Sequence, residues 1–223
     1  IPLPAGSYTN LRLRFVMQSD PYVSREGIAI DDIYIFDKGA ARIYDGPPYE
    51  SNTVSIASPA AGNWNYFTQG DQLIAAVHPG NQSPGNTTAK AYIYEGDVRD
   101  TLGQYYHSRN IVIQPAGTAI NDSIAVRFYF LDKETDSLLF ASGCDTCARP
   151  SSAYRLGVAV YNDAVSKENG TLTDNAEGTW SFIPYNRVRI VPYDKGYYAE
   201  LKTRNPGEFW LAPNPFTNAS PPL

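Results

Sequence analysis

Leu11-Arg12-Leu13-Arg14-Phe15-Val16-Met17-Gln18 alternates, and a period of two puts Leu11, Leu13, Phe15 and Met17 on one face of an extended strand. The same reading extends to residues 27–36, 72–77, 90–95, 124–131, 155–161, 187–192, 197–203 and 208–211. Between them lie turn-rich stretches at 45–48, 78–88 and 142–152, where Gly, Pro, Asn and Ser gather. Seventeen Tyr, nine Phe and three Trp against a single Met favour pleated surfaces, on which aromatic and β-branched side chains pack well. Helix-period patterns are nearly absent, and the polar stretch 163–178 suits either a loop or one short helical turn. The expectation is an all-β chain built on antiparallel sandwiches.

Of the 223 residues, 23 are acidic and 18 basic, a net charge of -5 that disfavours nucleic-acid binding, because phosphate neutralisation needs a basic surface. A hydrophobic fraction of 43% is enough for a substantial core. No apolar run reaches the length of a transmembrane helix, and Ile1-Pro2-Leu3-Pro4 opens neither with basic residues nor with an apolar signal core, so a processed or excised piece is expected. Gly46-Pro47-Pro48 suggests a linker near 40–50. Residues 1–45 then hold too few strands for a core of their own and read as the closing strands of another sandwich. Residues 46–212 form the main β-sandwich domain, and 213–223, with Pro213, Pro215, Pro221 and Pro222, an extended linker.

Chemistry-bearing residues are few. Asp31 and Asp32 point to opposite faces of one strand among Ile28, Ile30, Ile33 and Tyr34, so at least one carboxylate is partly buried and needs a partner. Arg12 and Arg14, backbone amides, or a calcium ion held by Asp31 and Asp32 with oxygens from Asp20 and Asp37 would each serve. A retaining glycosidase pair would have to face one groove, which adjacent strand residues do not. Cys144 and Cys147, the only cysteines, sit among turn residues with no helix start to stabilise a thiolate, and a small structural disulfide fits them in an oxidising compartment. His78 and His107 are the only histidines, neither beside a nucleophile motif, and they read as turn and packing residues. Aromatic clusters at Trp64 and Tyr66, Tyr92 and Tyr94, Tyr105 and Tyr106, Tyr193 with Tyr197 and Tyr198, and Trp210 are the binding candidates. Most of them are needed as core, so no exposed patch can be singled out from sequence.

The segment Leu13–Phe36, with Gly27-Ile28-Ala29-Ile30-Asp31-Asp32-Ile33-Tyr34-Ile35 at its centre, resembles the final strands of MAM-type jelly-roll domains and their bacterial relatives. The resemblance covers roughly residues 11–37 and implies a secreted or cell-surface module for adhesion or recognition, of a kind that often carries calcium. Residues 64–79, 126–134, 154–163 and 188–213 resemble the β-rich region that precedes the sorting domain in large exported proteins of Bacteroidota. That likeness implies, as partner, the type IX secretion machinery, reached through a C-terminal domain beyond Leu223. It also implies O-glycans on Asp-Ser/Thr-apolar triplets, which here place them at Thr101, Ser123 and Ser137.

Together these readings lead to the terminal strands of a jelly roll followed by an antiparallel β-sandwich. The expected role is a noncatalytic segment in adhesion, in recognition of glycans or other cell-surface polymers, or as a spacer. The alternative is an accessory region of a secreted hydrolase whose catalytic domain lies upstream.

Overall fold

The computed structural model describes residues 41–116, 120–163 and 168–216. All of them belong to one of the chain's two compact units, Tyr34–Leu223. Asp31 and Asp32, the strands expected over 11–37 and residues 217–223 of the linker expected over 213–223 lie outside the described residues.

In chain order the described strands are β1 (Arg42–Ile43), β2 (Val54–Ile56), β3 (Asn65–Gln69), β4 (Gln72–His78), β5 (Thr87–Ile93), β6 (Asp100–Thr101), β7 (Gln104–Tyr105), β8 (Arg109–Pro115) and β9 (Ile124–Leu131). After α1 (Asp132–Leu139) come β10 (Gly157–Asn162), β11 (Thr179–Ile183), β12 (Arg189–Tyr193), β13 (Gly196–Thr203) and β14 (Glu208–Ala212). Two six-stranded sheets hold most of them. Sheet A runs β1-β4-β9-β13-β12 with β3 on the other side of β4, and sheet B runs β11-β10-β14-β8-β5-β2. Every pairing is antiparallel except the short β1–β4 contact.

Alternation decides which side chains meet between the sheets. From β9, Ile124, Val126, Phe128 and Phe130 turn inward, to join Ile111, Ile113, Val158, Val160, Phe209 and Leu211 of sheet B in one core. The β3–β4 register shifts after Phe67, so Ile74 and Ala75 both face this core and Leu73 moves to the outer side. Where Gly46-Pro47-Pro48 suggests a linker, the chain is held at both ends. The Tyr44 N–H donates to the Leu73 carbonyl at 2.9 Å, and the Ser51 N–H to Ala91 at 3.0 Å.

The eight-residue helix α1 is the main departure from the expected absence of helix. Its acidic first turn is Asp132 and Glu134, and the Glu134 carboxylate accepts the Leu131 N–H at 3.0 Å. The same carboxylate takes a two-pronged bond from Arg109, at 2.9 Å from Nε and 2.8 Å from Nη2, with Arg109 fully buried. Burial alone would raise the Glu134 carboxyl, but the Arg109 charge outweighs it and holds the group below the usual carboxylate range. The helix is thus fixed from the start of β8. It is far too short to cross a membrane, and no described helix is long and apolar enough to do so.

The outer face of sheet B is closed by the segment after β10. Its one short 3-10 turn, Leu172–Asp174, falls within the stretch 163–178 for which a loop or a single turn was expected. Glu208, fully buried, anchors that segment by accepting N–H groups from Asn110, Gly170 and Asn175, each at 2.7 Å. Leu172, Trp180 and Phe216 complete the cover over Trp210 and Ala159.

Candidate functional site

Sheet A is assembled from strands far apart in sequence, and its outer face gathers aromatic and charged side chains from β3, β9, β12 and β13. One register crosses it. Tyr66 pairs with Ala76, Ala76 with Arg127, Arg127 with Glu200 and Glu200 with Arg189. At the usual strand spacing this row spans about 19 Å.

Arg127 is the centre of the row. Its guanidinium lies 3.8 Å from the Trp64 ring centre and 4.6 Å from that of Tyr198, and its Nε donates to Glu200 at 2.8 Å. Burial disfavours the charge on Arg127, and the Glu200 carboxylate with the neighbouring tyrosines more than offsets it. Tyr129 forms the floor, with Tyr193 at 5.5 Å and Tyr198 at 5.7 Å from its ring centre. Burial lifts the Tyr129 hydroxyl well above the ordinary phenol range, so it stays protonated. The Tyr193 hydroxyl donates to the Ala41 carbonyl at 2.5 Å, and the Asp194 carboxylate accepts the Ile43 N–H, so the start of the described domain is tied to this face. Trp64 meets His78 edge-on at 5.5 Å.

Of these rings, Tyr66 is the most open, at 48% exposure, whereas Trp64, Tyr193 and Tyr198 are half-buried. Ala76, the smallest side chain of the row, is fully buried between Tyr66 and Arg127, in the cluster that Trp64 and Tyr198 pack against. At the far end, β12 pairs with β13 only as far as Arg189 and Glu200. Past that point a notch of about 430 Å³ opens, lined by Arg187, Arg189, Glu200 and Lys202 among others.

Two of the aromatic clusters picked from the sequence, Trp64 with Tyr66 and Tyr193 with Tyr198, are therefore brought together here. The others are not. Tyr197 turns inward and stacks on Phe130 at 5.5 Å, while Tyr105, Tyr106 and Trp210 are buried. Arg127 and Tyr129, which join the two clusters, were missed, although the alternation of 124–131 already puts them on one face.

The remaining candidates lie elsewhere. Cys144 and Cys147 are bonded to each other with Cα atoms 5.3 Å apart, and the Cys144 N–H donates to the Tyr105 hydroxyl at 2.6 Å. Asp100 approaches the pair, yet sulfurs engaged in a disulfide offer no thiolate to a metal. Thr101 is in β6, Ser123 precedes β9 with its N–H on the Asp122 carboxylate, and the Ser137 hydroxyl donates to the Lys133 carbonyl within α1. His78 accepts the Gly80 N–H through Nδ1. His107 is a packing residue: burial pushes it down to about 4, against the opposing pull of Glu134. A separate cleft at the α1 end holds Tyr49, Tyr94 and several carboxylates, but Asp45 is paired with Lys133 at 2.6 Å, Glu95 with Tyr49, and Glu134 with Arg109.

No protein-family model, curated protein or solved structure matches this chain.

Proposed function

We propose that the described domain is a noncatalytic recognition module of a secreted or cell-surface protein, and that it holds a carbohydrate chain against the outer face of sheet A. The observation that carries this reading is the row from Tyr66 to Arg189, in which the open Tyr66 ring stands at one end and hydrogen-bonding charges follow it along one strand register. A sugar ring lays its apolar face on an aromatic side chain, and its hydroxyls need donors and acceptors in nearly the same plane. Trp64 and Tyr66 supply the first; Arg127, Glu200 and the tyrosine hydroxyls supply the second.

The poor fit of both histidines to general-base work supports a noncatalytic role: His107 is buried with a strongly depressed pKa, and His78 is engaged in its own turn. The Cys144–Cys147 disulfide and the likeness to exported Bacteroidota proteins support a place outside the cytoplasm, with type IX export as the route. Affinity electrophoresis through gels containing single polysaccharides is the test. A polysaccharide that retards the wild-type protein and no longer retards Tyr66→Ala supports the reading. Equal retardation of both, or none by any glycan, overturns it.

A further inference from the structure

We infer that the glycan held on this face is an anionic one, with its sugar rings on the Trp64 and Tyr66 end and its acidic groups at the notch beyond Arg189. This deepens the proposed function and rests on it. The row and the notch together carry four cationic side chains, Arg127, Arg187, Arg189 and Lys202, and one carboxylate, Glu200. In a chain whose net charge is -5, such a local excess runs against the global balance.

The one carboxylate does not cancel it. Glu200 is already engaged by Arg127 at 2.8 Å, and Arg189 reaches it only at 3.9 Å, with the Arg189 side chain 70% exposed. Arg187 and Lys202 are exposed as well. These three therefore present free, hydrated charges to whatever enters the notch. Planar guanidinium forks suit carboxylate and sulfate alike. The geometry gives the ligand a direction across the sheet, because the stacking rings lie at β3 and the cations at β12 and β13. A single-stranded nucleic acid would also combine stacking with negative charge. It is disfavoured because the most open ring of the site, Tyr66, stands at one end of the row and the rings farther along are half-buried, whereas a base-stacking groove needs open rings interleaved with cations along its length.

The test uses the full chain and four immobilised probes: polygalacturonate, dextran sulfate, neutral dextran and oligo(dT). Binding to polygalacturonate or dextran sulfate, weakened at least tenfold between 50 and 500 mM NaCl, is expected. The preferred probe of the two names the acidic group. The variant Arg187→Gln/Arg189→Gln/Lys202→Gln, all exposed positions, should weaken that binding tenfold or more, while Tyr66→Ala should abolish it. Binding to dextran that the triple variant retains, with no preference for either acidic polymer, would overturn the anionic assignment and leave the glycan reading standing. Oligo(dT) bound more tightly than either acidic polysaccharide would overturn both, as would silence across all four probes.

Discussion

Two arginines in this domain sit among aromatic rings, and they have opposite surroundings. Arg99 lies 4.8 to 5.1 Å from the ring centres of Tyr94, Tyr106 and Trp210, and its Nη2 donates to the His107 and Ser108 carbonyls at 3.0 and 2.9 Å. Arg127 lies between Trp64 and Tyr198 and ends on the Glu200 carboxylate. Around Arg99, Tyr94 is as open as Tyr66, but Trp210 and Tyr106 are buried beneath Phe216, and the neighbouring face of sheet B is closed by the segment that Glu208 anchors. Around Arg127 the rings stay half-open and Tyr66 stands beside them. Cation–ring chemistry alone thus says nothing about function. What separates a structural cluster from a candidate binding surface, among the described residues, is whether a segment covers most of its rings.

Breaking the covered cluster should have the largest effect on stability. Arg99→Ala removes two charge-assisted bonds to backbone carbonyls and leaves Trp210 and Tyr106 facing a void, at a cost of about 3 kcal/mol. For a domain of this size that lowers Tm by roughly 6–12 °C. Glycan binding by the surviving folded protein should not change. A Tm within about 2 °C of wild type would show that the two clusters do not differ in kind.

The cover itself should respond to pH. Burial pushes the Glu208 carboxyl up to about 7, with the Asn175 and Gly170 N–H bonds pulling the other way. Because its folded pKa exceeds the unfolded one, the stability it contributes is complete below about 4.5 and is lost as pH rises through 7. His107 works in the opposite sense. Its folded pKa of about 4 lies below the unfolded 6.5, so its contribution is complete above 6.5 and is lost as pH falls through 4. Each is worth on the order of 3 kcal/mol, and between 4.5 and 6.5 the two slopes oppose each other. Wild-type Tm should therefore be nearly flat across that window. In Glu208→Gln it should rise with pH, and profiles that superimpose would refute the buried-carboxyl account.

The disulfide loop belongs to the covered side, since Tyr105 accepts the Cys144 N–H and donates its own N–H to Ala148 at 3.0 Å. Closing so short a loop restricts the unfolded chain by about 2 kcal/mol. Cys144→Ser/Cys147→Ser should lower Tm by roughly 4–8 °C without changing glycan affinity. A change in affinity at constant Tm would place the loop in the binding surface instead.

How far the sequence foretold this follows the range of each interaction. Period-two alternation in 124–131 was enough to send Ile124, Val126, Phe128 and Phe130 inward and Arg127 and Tyr129 outward. The neighbours of that strand could not be read: β4 and β13 come from residues some fifty before and seventy after, so the row that unites Tyr66 with Arg189 is a product of topology. Helix α1 was hidden for a similar reason. Leu138 and Leu139 are its only apolar residues, and what fixes it is a buried guanidinium 25 positions away. The cysteine pair lay within four residues, and the short turn around it was legible in full.

The finest test of the contrast is Tyr66→Ala. Tyr66 sits on an edge strand with nearly half its surface in water, and its partner across the strand is only Ala76. Removing the ring forfeits little buried area, so the expected loss of stability is about 0.5 kcal/mol or less, a Tm change of roughly 1–2 °C. Its effect on glycan binding should be tenfold or greater, because an exposed ring that contributes nothing to the core is free to give its whole face to a ligand. Thermal melts and affinity electrophoresis on the same preparation check both halves. A large drop in Tm with unchanged binding would put Tyr66 in the same class as Trp210 and erase the distinction between the open sheet and the covered one.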